Sequence, residues 1–236
     1  ASDARGLFAR PGLGAVPAWP PGPIAWRRGG PARPAGPVHR GRGSWYSTVS
    51  TCRGGAMLGW VTDGGLETDL IFHRGVDLPE FASFPLVEQE ATAQLLRDYY
   101  LGYAQIAQRA GAGLVLETPT WRANPDWGKT LGYGANALDG TNQQAVELVR
   151  SCRGDVSRGM VSGIIGPRGD GYIAAGSRAD EAADYHRGQV TSFAKAGVDV
   201  VHAMTINEPA EAIGVIRAAR GEGVPVGISF TVETDG

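Results

Sequence analysis

The strongest constraint on the fold is a unit that recurs along the chain after residue 57. It consists of an amphipathic helix, a glycine, a short apolar strand and a polar residue where the strand ends. The clearest copies are RAGAGLVLET at 109–118 and KAGVDVVHAMT at 195–205. In both, the glycine predicts the end of a helix and the apolar run predicts a buried strand. Strands separated by single helices favour parallel pairing with right-handed crossovers, so the chain is predicted to be an α/β protein.

The same periodicity places the other elements. The helix before residue 111 has its apolar residues on one face, at Leu96, Tyr99, Tyr103, Ile106 and Ala110. Further strands are predicted at Met57–Thr62, Met160–Ile165 and Val224–Phe230, and further helices near Asp139–Arg150, Arg178–Ala196 and Glu208–Arg220. Five such strands suit either a doubly wound sheet or a barrel. No Gly-rich dinucleotide fingerprint or phosphate loop follows any of them, which counts against nucleotide-binding folds.

Residues 1–56 differ in composition from the rest. They carry eight Arg, no Lys and one acidic residue, Asp3, together with eight of the 15 prolines. Without apolar periodicity this segment is predicted to be a disordered tail, or upstream sequence preceding a true start at Met57. A transit segment and an arm that binds nucleic acid are the alternatives. The domain proper is predicted to span 57–236.

Two features predict the compartment and exclude some partners. Cys52 and Cys152 form neither a metal-ligand spacing nor a disulfide framework, which favours a reducing compartment. No apolar run approaches the roughly 20 residues that span a bilayer. We therefore expect a cytoplasmic protein with no membrane or nucleic-acid partner, whose oligomeric state the sequence leaves open.

Polar segments follow all five predicted strands. In an α/β barrel the active site is built from the residues that follow the strands. Here these segments are 62–68 (TDGGLET), 117–124 (ETPTWRAN), 166–171 (GPRGDG), 204–208 (MTINE) and 231–235 (TVETD). A functional site is therefore predicted at this end of the sheet.

Four motifs carry a family resemblance. They are the Asp63-Gly64-Gly65 opening with the HRG of 73–75, the TPTWRA of 118–123, the SGIIGP of 162–167 and the EA of 211–212. In this order they resemble the homocysteine S-methyltransferases, whose homocysteine-binding domain is a TIM (β/α)8 barrel. The resemblance implies an incomplete barrel with about five of its eight strands in this chain.

The resemblance also implies a reaction. The family moves a methyl group from a sulfonium, quaternary ammonium or folate donor to the sulfur of homocysteine, which zinc holds as thiolate. A free thiol with a pKa of about 8.5 is only about 3% thiolate at pH 7, whereas a coordinating metal deprotonates it. The implied partners are a small amino-acid thiol and a methyl donor.

The substrate-binding residues follow from the matched positions. Asp63, Gly64 and Gly65 are expected at the amino-acid end of the substrate, where glycines let the main chain approach closely. Trp121 is expected beside the donor, because an aromatic face suits a methylated cation. Asp63 could instead cap a turn or helix, and Trp121 could pack a loop, as we expect of Trp127 and Tyr133. Strand-end residues complete the predicted set: Glu117, Thr118 and Thr205.

One position departs from the family pattern. Met204 stands where many relatives carry a glutamate that receives the amino group of the substrate, and a neutral thioether cannot pair with an ammonium. Either Glu117, Glu208 or Glu233 substitutes for it, or the acceptor is not homocysteine.

The zinc ligands are the second departure. The family's cysteines follow its sixth and eighth strands, and neither Cys52 nor Cys152 is a credible ligand. His73, His186 and His202 are expected at helix ends or on the surface. As it stands the chain is therefore expected to bind no zinc, to be inactive and to expose apolar strand edges. A non-catalytic binding module is the alternative. An aldolase-like barrel would need a strand-end lysine, and Lys195 lies in a helix.

Overall fold

The computed structural model describes residues 59–169, 171 and 176–232. The predicted tail at 1–56, Met57 and Glu233 lie outside this part of the chain. Five strands alternate with helices: β1 (Trp60–Thr62), β2 (Gly113–Glu117), β3 (Gly159–Ile165), β4 (Val200–Ile206) and β5 (Val226–Phe230). The helices are α1 (Leu66–Thr68), α2 (Glu90–Ala110), α3 (Pro125–Thr130), α4 (Ala135–Cys152), α5 (Ala179–Ala196) and α6 (Pro209–Gly221). The predicted α/β class and the four long helices are confirmed.

The order of the strands decides between the two architectures that the pattern left open. All strands are parallel, and each pairs with the next along the chain, in the order β1-β2-β3-β4-β5. A doubly wound sheet reverses its order at a switch point, whereas a barrel does not. The sheet is a curled half-barrel with the helices between its strands, as in part of a TIM barrel.

Glycines end two of the long helices, as the repeating unit predicts. Gly111 follows α2 with φ of 60°, and Gly197 follows α5 with φ of 73°. A residue without Cβ adopts this left-handed conformation with little strain, and its N–H then closes the last turn of the helix. Each glycine therefore turns the chain directly into the next strand.

The hydrophobic core lies between the sheet and the helices. Alternate strand residues face the helices and are fully buried, among them Leu114 and Leu116 on β2 and Val201 and Ala203 on β4. Gly214 lets α6 approach α5, because a Cβ there would lie 2.5 Å from the Cβ of Ala182. None of the helices in the described ranges is long and apolar enough to cross a membrane.

The structure corrects the end of the fourth strand. The sequence placed Met204 after the strand, but β4 continues to Ile206. Ala203 pairs with Ile228 and Ile206 with Phe230, so β4 has one residue more than β5 between these pairs. The extra residue forms a β-bulge at Met204–Thr205, and bulges of this kind re-aim side chains next to active sites.

Candidate functional site

A cavity of about 540 Å³ opens on the inner face of the half-barrel, at the carboxyl ends of the strands. It is lined by Thr62, Asp63, Gly64, Gly65, Leu66, Glu67, Phe81, Glu117, Thr118, Trp121, Ile164, His202, Met204 and Thr205. All seven residues predicted to bind substrate are in this set. The structure thus brings them together, and their binding role stays a prediction.

The charges of the lining are of one sign. Asp63, Glu67 and Glu117 contribute carboxylates and His202 an imidazole, whereas no Lys or Arg is among the lining residues of the described chain. Low-dielectric walls strengthen the field of such a cluster. The cavity therefore favours a cationic ligand group.

Asp63 differs from the other carboxyl groups of the lining in its surroundings. Its Oδ2 accepts the N–H of Glu117 at 3.2 Å, which ties β1 to β2, while its Oδ1 is buried without a hydrogen-bond partner among the described residues. Burial raises the pKa of Asp63 to about 8, and the nearby Glu117 carboxylate adds to the shift. The alternative role as a helix cap does not hold, because the residue preceding α1 is Gly65.

The two glycines after Asp63 differ in their surroundings. The N–H of Gly64 donates to the Tyr99 hydroxyl at 3.0 Å, and a Cβ on Gly64 would lie 2.9 Å from the Tyr103 oxygen. A Cβ on Gly65 would meet only the side chain of Thr68, at 3.4 Å. A larger residue at position 64 would therefore collide with Tyr103 of α2. At Gly65 the absence of a side chain leaves the main chain accessible from the cavity.

His202 links three strands. Its Nδ1 lies 3.2 Å from Glu117 Oε1 on β2, and its Nε2 lies 2.7 Å from Ser229 Oγ on β5. The expectation that the histidines lie at helix ends or on the surface is confirmed for His73 and wrong for His202. It is also wrong for His186, which is fully buried on α5. The signal was available for His202, because it lies two residues before Met204 and alternate strand residues share a face.

Trp121 is held by contacts on several sides. Its Nε1 donates to Thr205 Oγ1 at 3.0 Å, and Phe81 meets the ring edge-on at 6.4 Å between centroids. A Cβ on Gly166 would collide with the Trp121 carbonyl oxygen. The guanidinium of Arg122 lies 5.0 Å from the Trp121 ring, so the indole already takes part in one cation–π contact.

Thr205 has a strained backbone. It lies in the bulge of β4 with φ of 56°, in the left-handed region that a β-branched residue rarely adopts. Its hydroxyl donates to the Met204 carbonyl at 2.6 Å and accepts from Trp121. Strain of this kind concentrates at ligand-binding sites, where the surrounding structure holds it.

The Thr118 hydroxyl serves the frame of the site. It accepts the N–H of Ile164 at 2.9 Å and lies 2.6 Å from the hydroxyl of Thr120, which donates to the Ile164 carbonyl at 2.8 Å. These bonds fix the end of β2 against β3. Thr118 therefore positions the segment that carries Trp121.

Two glutamates of the β4–α6 segment hold the loop after β3. Glu211 Oε1 accepts the N–H of Arg168 at 2.7 Å and lies 2.8 Å from His186 Nε2, with both side chains buried. Glu208 accepts the N–H of Gly176 at 2.6 Å and of Ser177 at 3.1 Å. Among the candidates to replace the missing glutamate at 204, Glu208 is thus engaged with the loop, Glu233 lies outside the described residues and Glu117 lines the cavity.

The other two aromatic residues have packing contacts, as the sequence favoured. Tyr133 meets Phe84 edge-on at 5.0 Å and donates to Glu88. Trp127 stacks on Arg122 at 3.7 Å and donates to the Gly169 carbonyl. Neither is a lining residue of the cavity.

The described residues do not fit a zinc site. No group of three His, Cys, Asp or Glu within the described ranges could hold a metal ion. Cys152 is buried at the end of α4, away from the cavity lining, and Met204 offers the cavity a neutral thioether.

Comparisons with known proteins place this geometry in context. The family model described as "Homocysteine S-methyltransferase" matches residues 60–236. The metallated form of the homocysteine methyltransferase MmuM from Escherichia coli is similar with a TM-score of 0.61 and 21% identity, over 75% of this chain and 64% of that one. Its oxidized form gives a TM-score of 0.63 and 22% identity, over 75% and 63%. The chain thus spans less than two thirds of these relatives, with which it shares the fold. No curated sequence matches.

Proposed function

The chain belongs to the homocysteine S-methyltransferase family, and from this premise we propose that its cavity binds an amino-acid thiol that accepts a methyl group. The observation that carries the proposal is the charge of the lining: three carboxylates, no Lys or Arg among the described lining residues, and a buried Asp63 oxygen without a partner. An ammonium group supplies the missing donor and the missing charge together.

Asp63 and Glu117 are proposed to receive this ammonium. They lie at the ends of neighbouring strands, and the mutual influence of their carboxylates contributes to the raised pKa of Asp63. A cation between them removes that repulsion and lets Asp63 ionise. Glu117 thereby takes over the task that the family pattern gives to the residue at position 204.

The donor is proposed to approach over Trp121. A sulfonium or quaternary ammonium group gains from the electron-rich face of an indole, and the bond to Thr205 fixes the plane of that ring. Donor and acceptor would then meet above the bulge of β4. A methylfolate donor carries no such cation and would gain less from Trp121.

The cytoplasmic location stays a prediction of the sequence.

The experiment compares homocysteine with 4-mercaptobutanoate, which lacks the ammonium, by isothermal titration calorimetry on the whole chain. We expect homocysteine to bind at least tenfold more tightly, because hydrogen bonds to charged groups contribute about 1.5–3 kcal/mol. Asp63→Asn and Glu117→Gln should each remove most of that difference.

Glu67→Gln is the matched control. Glu67 also lines the cavity, but its carboxylate accepts the Ser83 hydroxyl at 2.6 Å. We expect this variant to bind homocysteine within about threefold of wild type. Equal affinity of the wild type for the two ligands, or unchanged binding by both Asp63→Asn and Glu117→Gln, would overturn the proposal.

A further inference from the structure

A chain of contacts crosses the inner face of the sheet beside the proposed ammonium site. It joins the carboxylate of Glu117, the imidazole of His202 and the hydroxyl of Ser229. Because an ionised carboxylate can only accept, Nδ1 of His202 carries the hydrogen of the first contact. Nε2 of the neutral ring is then the acceptor of the Ser229 hydroxyl. A base oriented by a carboxylate and in contact with an X–H group is the arrangement that activates nucleophiles.

From this arrangement we propose that His202, oriented by Glu117, takes the proton that the acceptor thiol loses on binding. The inference rests on the proposed function, since it requires a thiol in the cavity. His202 is a lining residue, whereas Ser229 is not. In the free protein the Ser229 hydroxyl contacts Nε2. When the thiol binds, it takes this place at Nε2, and the Ser229 hydroxyl moves away by rotation about the Cα–Cβ bond of the serine.

The proton transfer balances without a further reactant. The S–H bond breaks, an N–H bond forms at Nε2, and the sulfur keeps the electron pair. Glu117 stabilises the imidazolium that results. In the transfer itself an S–CH₃ bond forms as the bond between the methyl group and the donor breaks, and the donor keeps the electrons of that bond.

The charges around His202 favour this direction. Glu117 contacts the ring, the carboxylates of Asp63 and Glu67 line the same cavity, and the neighbours on β4 and β5, Met204 and Ser229, are neutral. No Lys or Arg is among the described lining residues. The bound ammonium neutralises one of these three carboxylates, and the remaining negative charge still stabilises a positive imidazolium.

The test compares homocysteine with methionine, which keeps the ammonium and carboxylate groups and replaces the S–H by S–CH₃. Binding to the whole chain is measured by isothermal titration calorimetry at pH 7 in two buffers of different ionisation enthalpy. Proton exchange at Asp63 is common to both ligands, so their difference isolates the thiol proton. We expect wild type to retain that proton and to show the ultraviolet absorbance of a bound thiolate.

His202→Gln should weaken homocysteine binding about tenfold and leave methionine binding within about twofold. An equal loss for the two ligands would mean that His202 only shapes the cavity, and it would overturn the inference while leaving the proposed function intact. If neither ligand binds wild type, the proposed function fails and the inference with it.

Ser229→Ala provides a second variant that leaves the imidazole in place. Removing the hydroxyl that competes for Nε2 should strengthen homocysteine binding by about twofold to threefold and leave methionine unchanged. Weaker homocysteine binding by this variant would contradict the displacement of Ser229 and overturn the inference. Thermal unfolding of each variant checks that it folds as wild type does.

Discussion

On β2, Leu114 and Leu116 are fully buried against the helices, whereas Glu117 on the opposite face lines the cavity. The same contrast recurs on β4, where Val201 and Ala203 face the core and His202 faces the cavity. The helix-facing side of these strands is apolar, although Gln189 Oε1 and His186 Nδ1 on the opposing α5 are buried without partners among the described residues. The cavity side carries charges, and Ser162 Oγ and Asp63 Oδ1 there are buried without partners among the described residues. One side of the sheet thus supplies most of the apolar core, and the other carries the charged groups of the candidate site.

The largest expected effect is on the helix-facing side. Leu116→Ala should lower the free energy of unfolding by about 2–5 kcal/mol, because it removes a fully buried side chain and leaves a cavity. Urea denaturation measures the change. Its neighbour on the other face is the control, since Glu117→Gln should change stability by less than about 1 kcal/mol. Similar losses for the two variants would break the contrast between the faces.

A second pair of variants compares a glycine on the helix-facing side of the sheet with one on the cavity side. A Cβ on Gly163 would lie 2.7 Å from the ring of Phe193, which is fully buried, whereas a Cβ on Gly227 would lie 3.5 Å from His202, an ordinary contact. We expect Gly163→Ala to destabilise the protein by about 1–3 kcal/mol through overpacking. Gly227→Ala should stay within about 0.5 kcal/mol of wild type. Equal effects of the two substitutions in thermal unfolding would show that the helix-facing side accommodates an added methyl group as readily as the cavity side.

The difference between the faces also explains what the sequence could predict. The helix-facing side leaves a periodic apolar signal, so the strands, the four long helices and the glycines at 111 and 197 were found. The family resemblance and the strand-end rule together then gave seven residues that all line one cavity. The sequence pattern alone did not give the strand order, which the family resemblance supplied.

Two features of the site had no local signal. The contact of His202 with Glu117 joins residues 85 positions apart, and it depends on the register of β2, β3 and β4. The bulge at Thr205 places a threonine in a conformation that usually requires glycine, so its sequence predicts ordinary strand or loop. Both features belong to the cavity side, where no periodic apolar pattern specifies the residue.

A third prediction concerns pH. Asp63 has a pKa of about 8 in the folded protein against 3.8 as its ordinary value, so between these values the folded protein holds a proton that the unfolded chain has lost. Stability then falls as the pH rises, by at most about 1.4 kcal/mol per pH unit. We expect wild type to lose on the order of 1–2 kcal/mol more than Asp63→Asn between pH 5 and pH 8, since water in the open cavity weakens the effect. Urea denaturation at the two pH values is the measurement. Parallel pH profiles would show that Asp63 ionises normally.

The smallest effect is expected at Thr205, where opposing terms nearly cancel. Relief of the left-handed conformation in Thr205→Gly gains about 1–2 kcal/mol. The greater entropy that glycine gives to the unfolded chain reduces this gain by about 0.5–1 kcal/mol. The loss of the hydroxyl that accepts the Trp121 N–H reduces it by about a further 0.5–1.5 kcal/mol. The net change in the free energy of unfolding should therefore lie between a loss of about 1.5 kcal/mol and a gain of about 1 kcal/mol. Thr205→Val keeps the strain and the side-chain volume and also loses the acceptor, so it should be less stable than Thr205→Gly by up to about 1.5 kcal/mol. A Thr205→Val variant that is more stable than Thr205→Gly in urea denaturation would mean that the bulge is not strained, and the cavity side would then differ from the core in charge alone.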